Sequence, residues 1–354
     1  MTVLRSLPKY LFVFVLCLFG LVLVEGGARL LWGPFSPKGV LLFSENPFQG
    51  GEDGQAVRFL SNRTIRALST FGERREFDVR FRTNNMGLID GEDYPLAPKP
   101  RNIAVVGDSY SAGYHGGEPR IPGLRKLVDN ANVYNLGVTG TGFVQFADLL
   151  NAVTSRVPID EVVIVAISSD VGRKPWSPVV HGGRLYLCAL DTPRENCLSR
   201  KSAILIHDDE KAGKTTETRI EDYYDSLPAV GLRRYLSRHT YVGSLFRSRT
   251  WKRRSKPLNE VTVPGFTVEA VQKIRALFKE RPVTLLHIPE KREVAVGHFY
   301  TDLKGLARDA GVEFVDGLAR CGLTEADYFP RDPHPNAAGY GKIRRCVANI
   351  LTDK

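Results

Sequence analysis

The chain has 354 residues, 43% of them hydrophobic and 25% charged. That is ordinary globular composition and enough length for one large α/β domain with an insertion, or for two modest domains, so a chain too small to bury a core is excluded. A formal net charge of +10 favours anionic partners such as phospholipid headgroups, acidic polysaccharide or nucleic acid, without choosing among them.

Arg5 and Lys9 precede an uninterrupted apolar run over residues 10–24, and Leu30, Leu31 and Trp32 extend it after a polar break. The pattern predicts a membrane-targeting segment. Residues 1–33 read as an uncleaved, single-pass transmembrane anchor, with Trp32 at the interface and everything beyond it extracytoplasmic (periplasmic) by the positive-inside rule. The competing reading is a signal cleaved after Ala28, because Gly26 and Ala28 are small residues at the required spacing. Beyond this segment lie four cysteines, an even number that suits an oxidising compartment. Of their three possible pairings we expect Cys188 with Cys197, bracketing a polar loop, and Cys321 with Cys346, stapling a C-terminal helix.

Residues 34–98 read as an extension and linker, with one alternating stretch at residues 77–83 predicted as a strand. From residue 99 onward the pattern changes to short apolar runs separated by helical segments. Strands are predicted at residues 103–106, 133–136, 161–167, 283–288 and 312–315, and helices at residues 123–130, 143–155 and 337–351. Continuous apolar strands alternating with helices argue a parallel, doubly wound α/β sheet covered on both faces. Residues 172–262 break the alternation and read as an insertion. Within it the run from Arg247 to Lys256 carries six basic residues and reads as a solvated loop or a surface for anionic headgroups or glycan.

In a doubly wound sheet the loops at the carboxyl ends of strands hold the chemistry. Gly107-Asp108-Ser109 ends the first such strand, where a glycine permits a sharp turn and the serine presents its hydroxyl and its N–H together. A serine hydroxyl needs a base within hydrogen-bond reach and a third group to orient that base. Among seven histidines, only His334 has a carboxylate in a tight setting, Asp332-Pro333-His334, just before the terminal helix. His287 and His298 read as structural or rim residues, and no histidine pair reads as a metal site.

Gly-Asp-Ser-Tyr at residues 107–110, Asn-Leu-Gly-Val-Thr-Gly at residues 135–140 and Asp-x-His-x-Asn-Ala-Ala-Gly at residues 332–339 resemble, in order, the first, second and fifth blocks of SGNH/GDSL hydrolases. The resemblance covers roughly residues 77–171 and 282–351. It implies a flavodoxin-like three-layer fold and a serine esterase or O-acyltransferase that needs no cofactor. It further implies Ser109 as nucleophile, His334 as base and acid, Asp332 as its orienting partner, and an oxyanion hole from the N–H groups of Ser109 and Gly137. The family's third block normally carries an asparagine as a further oxyanion donor; here Ser169 stands in its place. The expected substrate is an acylated saccharide, with a lipid ester or a non-catalytic glycan-binding role as alternatives. Nucleic acid is not expected as a partner of an exported chain.

Overall fold

The computed structural model describes residues 7–32, 39–51, 55–71, 74–116, 120–200, 202–208, 215–226, 240 and 262–353. Residues 1–6 and the basic run at 247–256 lie outside them. The chain divides into a smaller unit, Met1–Lys38 with Glu217–Pro257, and a larger one, Gly39–Thr216 with Leu258–Lys354. The smaller unit contains helix α1 (Leu7–Trp32). Among the described residues no helix is long and apolar enough to cross a membrane, which corrects the expected transmembrane helix. Residues 10–24 span only about 23 Å at 1.5 Å per residue, against a hydrocarbon core of about 30 Å. Glu25, Gly26 and Gly27 then interrupt the apolar run.

In the larger unit the chain first lays down β1 (Val40–Phe43), a short ladder of β2 (Phe48–Gln49) with β3 (Arg58–Phe59), and the long hairpin β4 (Thr64–Phe71) and β5 (Arg74–Arg82). β6 (Arg101–Gly107), β7 (Ala131–Gly137) and β8 (Glu161–Ala166) follow, joined through α2 (Ser109–Ala112), α3 (Arg120–Arg125) and α4 (Phe143–Thr154). The insertion contributes β9 (Trp176–His181), β10 (Arg184–Ala189), α5 (Arg194–Leu198) and β11 (Ile204–Ile206) to this unit, and then α6 (Thr216–Ser226), which from Glu217 onward belongs to the smaller unit. The chain closes with α7 (Gly265–Phe278), β12 (Val283–His287), α8 (Lys291–Val296), α9 (Leu303–Asp309), β13 (Glu313–Asp316), α10 (Gly317–Arg320) and α11 (Ala337–Thr352).

Five strands form an all-parallel sheet in the order β13-β12-β8-β6-β7. Winding therefore reverses at β6, the first of the five along the chain, and that reversal opens a crevice at its carboxyl end. Every residue of β7, β8 and β12 is buried, as expected when helices cover both faces. Successive side chains of a strand point to opposite faces. Ala104, Val106 and Ile164 join Phe143, Phe146, Leu150, Ile274 and Phe278 of α4 and α7 in one core. Ile103, Val105, Val163 and Val165 meet Leu124, Ile343, Val347 and Leu351 of α3 and α11 in the other.

A second sheet has the order β5-β4-β1-β11-β10-β9. Its first three strands come from the segment before the parallel sheet and its last three from the insertion, joined where β1 runs parallel to β11 with Leu42 opposite Leu205. Only β5 among these six was predicted. Pro178 lies in β9, which is the sheet's edge, where proline is tolerated. The Gly182-Gly183 turn between β9 and β10 has φ of 56° and 66°, a two-residue hairpin signal that the sequence did carry. Phe43, Ile65, Ala67, Phe81 and Leu185 of this sheet share the core of α4 and α7. Both expected disulfides are present: Cys188–Cys197 ties β10 to α5, and Cys321–Cys346 ties the end of α10 to α11.

Candidate active site

β6 ends at Gly107, where there is room for no side chain: a Cβ there would lie 2.2 Å from the Val165 carbonyl oxygen. Asp108 then caps α2, its Oδ1 accepting from the Tyr110 N–H at 2.8 Å, and Gly113 ends the helix after one turn at φ 76°. Ser109 is thereby fixed as the first residue of α2, buried at the carboxyl end of β6. Its N–H, an orphan at a helix start, has no hydrogen-bond partner among the described residues.

The opposing loop is pinned as firmly. Tyr110 Oη donates to the Pro333 carbonyl at 2.8 Å, and the Phe329 N–H donates to the His334 carbonyl at 3.0 Å. Asn336 caps α11 by accepting from the Ala338 and Gly339 N–H groups. These bonds bring His334 Nε2 to 2.9 Å from Ser109 Oγ, while Nδ1 bonds Asp332 Oδ1. A carboxylate only accepts, so Nδ1 carries the proton and Nε2 is free to accept the serine's. Burial pushes the Asp332 carboxyl up. The hydrogen bond and charge of His334, together with His115, outweigh that and hold it well below the usual carboxylate range.

Three groups around this relay were not predicted. Ser69 Oγ, from β4, donates to Asp332 Oδ2 at 3.0 Å in a buried contact. The buried His115 ring stacks on His334 with centroids 3.8 Å apart and planes 12° apart, and faces the edge of Phe77 from β5. Arg173 reaches in from just beyond β8. Its Nη1 donates to Asp108 Oδ2 at 2.7 Å and to the Thr141 carbonyl at 3.0 Å, and its Nη2 donates to Ser169 Oγ at 3.1 Å. No motif announces any of the three; the sequence offered only His115's nearness to Ser109.

The remaining predicted donors are placed otherwise. The Gly137 N–H donates to Asn135 Oδ1 at 3.0 Å, so the expected oxyanion donor is already engaged. Gly137 instead permits close packing: a Cβ there would lie 2.1 Å from the Ala112 nitrogen of α2. Ser169 meets Arg173 and the carboxylate of Glu290, so its hydroxyl belongs to a charged cluster. In the loop after β7, Gly140 adopts φ 78°, and its N–H has no partner among the described residues.

His287 lies on β12 in a separate buried network. Its Nε2 is 2.9 Å from Ser168 Oγ, which donates to Glu293 Oε1 at 2.5 Å. Burial lowers His287 to about 3 and raises Glu293 to about 7. His298 is exposed. Among the described residues no group of three or more histidine, cysteine, aspartate or glutamate side chains is arranged to hold a metal ion.

No protein-family profile matches this chain, and no curated protein does. Among solved structures it is similar to a lipase/acylhydrolase from Enterococcus faecalis, at 13% identity and a TM-score of 0.35, over 71% of this chain and 95% of that one. It is also similar to a member of the lipolytic protein G-D-S-L family from Veillonella parvula, at 13% identity and a TM-score of 0.35, over 72% of this chain and 100% of the other. A third is an acetylxylan esterase from Geobacillus stearothermophilus, at 14% identity and a TM-score of 0.34, over 72% of this chain and 95% of that one.

Proposed function

We propose that the chain is a serine esterase or O-acyltransferase of the SGNH type, acting on acyl esters, chiefly acetyl, of an exported or envelope glycan. The observation that carries this reading is the continuous relay from Ser109 Oγ through His334 to Asp332 at the switch point of a parallel sheet. His334 Nε2 takes the Ser109 proton as Oγ bonds the acyl carbon. The carbonyl π electrons move to oxygen, giving a tetrahedral oxyanion. When that intermediate collapses, His334 returns the proton to the departing sugar oxygen and leaves acyl-Ser109. Water or a second sugar hydroxyl, deprotonated by the same imidazole, then takes the acyl group as the bond to Ser109 Oγ breaks and His334 returns the proton to that oxygen. The choice of acceptor separates hydrolysis from transfer. The unbonded N–H groups of Ser109 and Gly140 are the amides offered to the oxyanion, and each such donor is worth roughly 2.7 to 4 kcal/mol.

The two disulfides favour an oxidising, extracytoplasmic compartment. A second reading, a non-catalytic glycan-binding protein on the same fold, draws on the engagement of Ser169 and Gly137 elsewhere. A fluorophosphonate probe with acetate release from acetylated envelope glycan decides between them. Labelling and release that vanish in Ser109→Ala support the enzyme. A folded wild type that neither labels nor releases acetate refutes it.

A further inference from the structure

A carboxylate that the Ser-His-Asp relay does not use sits against the nucleophile. Asp108 is fully buried, and its Oδ2 lies 3.1 Å from Ser109 Oγ, nearly as close as His334 Nε2 at 2.9 Å. The hydroxyl has one proton and two acceptors. A bond to an ionised acceptor is roughly twice as strong as one between neutral groups, so an uncompensated Asp108 would win the proton from the imidazole. Its negative charge would also oppose the oxyanion that forms beside it.

Arg173 is aimed at this oxygen. Besides Asp108 Oδ2, Thr141 O and Ser169 Oγ, its Nη1 lies 2.7 Å from Asp170 Oδ1 as an ion pair without hydrogen-bond alignment. Burial works against the guanidinium's charge, but Asp170 and Asp108 outweigh it and keep the group protonated. Burial first, and Asp108 second, push the Asp170 carboxyl well up. Of the two carboxylates only Asp108 takes an aligned hydrogen bond from Nη1, so Asp108 is the one that Arg173 engages.

We propose that Arg173 is a positioning residue for the nucleophile: by occupying Asp108 Oδ2 it sends the single Ser109 proton to His334 and cancels the negative charge beside the oxyanion. The inference rests on Ser109 being the nucleophile. It also gives the Ser169 position a role, since that hydroxyl holds the other guanidinium nitrogen.

The test measures the rate of fluorophosphonate labelling and the hydrolysis of p-nitrophenyl acetate by the full chain. Four proteins are compared: wild type, Arg173→Gln, Asp108→Asn and the double variant. Asparagine keeps the oxygen that caps α2 while removing the charge. Arg173→Gln is expected to slow both reactions about tenfold or more. In the Asp108→Asn background the same substitution is expected to cost less than about threefold. A merely structural arginine would cost the same in both backgrounds, and that result overturns the inference alone. An unlabelled wild type overturns the nucleophile reading and this inference with it. Should Arg173→Gln not fold, Arg173→Lys replaces it: the retained charge is expected to keep the rate within about fivefold of wild type, and a larger loss that Asp108→Asn does not relieve is the overturning result.

Discussion

Ser69→Ala is the sharpest probe of how the second sheet serves the relay. The Ser69 hydroxyl is the partner of Asp332 Oδ2 at 3.0 Å, while Oδ1 takes both the Nδ1 proton and the backbone N–H of His334. Removing one hydroxyl leaves a buried carboxylate oxygen unsatisfied and lets the carboxylate rotate away from the imidazole. A hydrogen bond to a charged group contributes about 1.5 to 3 kcal/mol. Asp332 retains 9% exposure, so water can replace part of this, and we take the lower figure of about 1.5 kcal/mol. That corresponds to roughly a tenfold fall in kcat/KM for p-nitrophenyl acetate. Urea denaturation is expected to show a stability loss of about 1 kcal/mol. Full activity at unchanged stability would show that Ser69 does not hold Asp332 and that the β4 contact is incidental.

Gly137→Ala drives a methyl into the backbone of α2, so we expect about 3 kcal/mol of destabilisation in urea or failure to fold; a variant of wild-type stability would contradict the close packing. Replacing Cys321 and Cys346 together by alanine opens a loop with a sequence separation of 25 residues and is expected to lower stability by about 3 kcal/mol, with thiol titration confirming that wild type has neither thiol free. Burial raises Glu293 to about 7 from 4.5 against the hydrogen bonds of Ser168 and Glu290, with Glu290, His298 and, across Ser168, His287 as its charged or titratable neighbours. The folded state therefore holds the extra proton: the stabilisation is complete below pH 4.5 and is lost as pH rises through about 7. His287, lowered by burial, acts in the opposite sense up to its unfolded value of 6.5, so the comparison must be between Glu293→Gln and wild type. Relative to the variant, wild type is expected to lose on the order of 2 kcal/mol between pH 5 and pH 8, and parallel urea midpoints across that range would refute it.

The sequence by itself determined what short-range patterns encode. The parallel strands stand out because burial on both faces makes them continuous apolar runs, as in Glu161–Ala166 and Val283–His287. Asp332 and His334 stand out because two residues of separation already allow the side-chain bond. Ser109 does so because glycine, the capping aspartate and the serine must be adjacent for the turn after β6 to form. The apolar N-terminal run was equally visible, but Glu25, Gly26 and Gly27 end it short of a bilayer's thickness.

Only the tertiary structure decided what depends on pairing distant segments. Nothing local in residues 39–82 or 176–206 says that they complete one another's sheet, since a strand's partner is chosen by the whole fold and not by its own alternation. That pairing brings Ser69 to Asp332 across 263 residues of chain and Phe77 to His115. Likewise, the sequence showed a serine where an amide donor was expected. Only the folded chain could place Arg173 between Ser169 and Asp108, because an arginine's long stem finds its acceptors in space rather than in register with them.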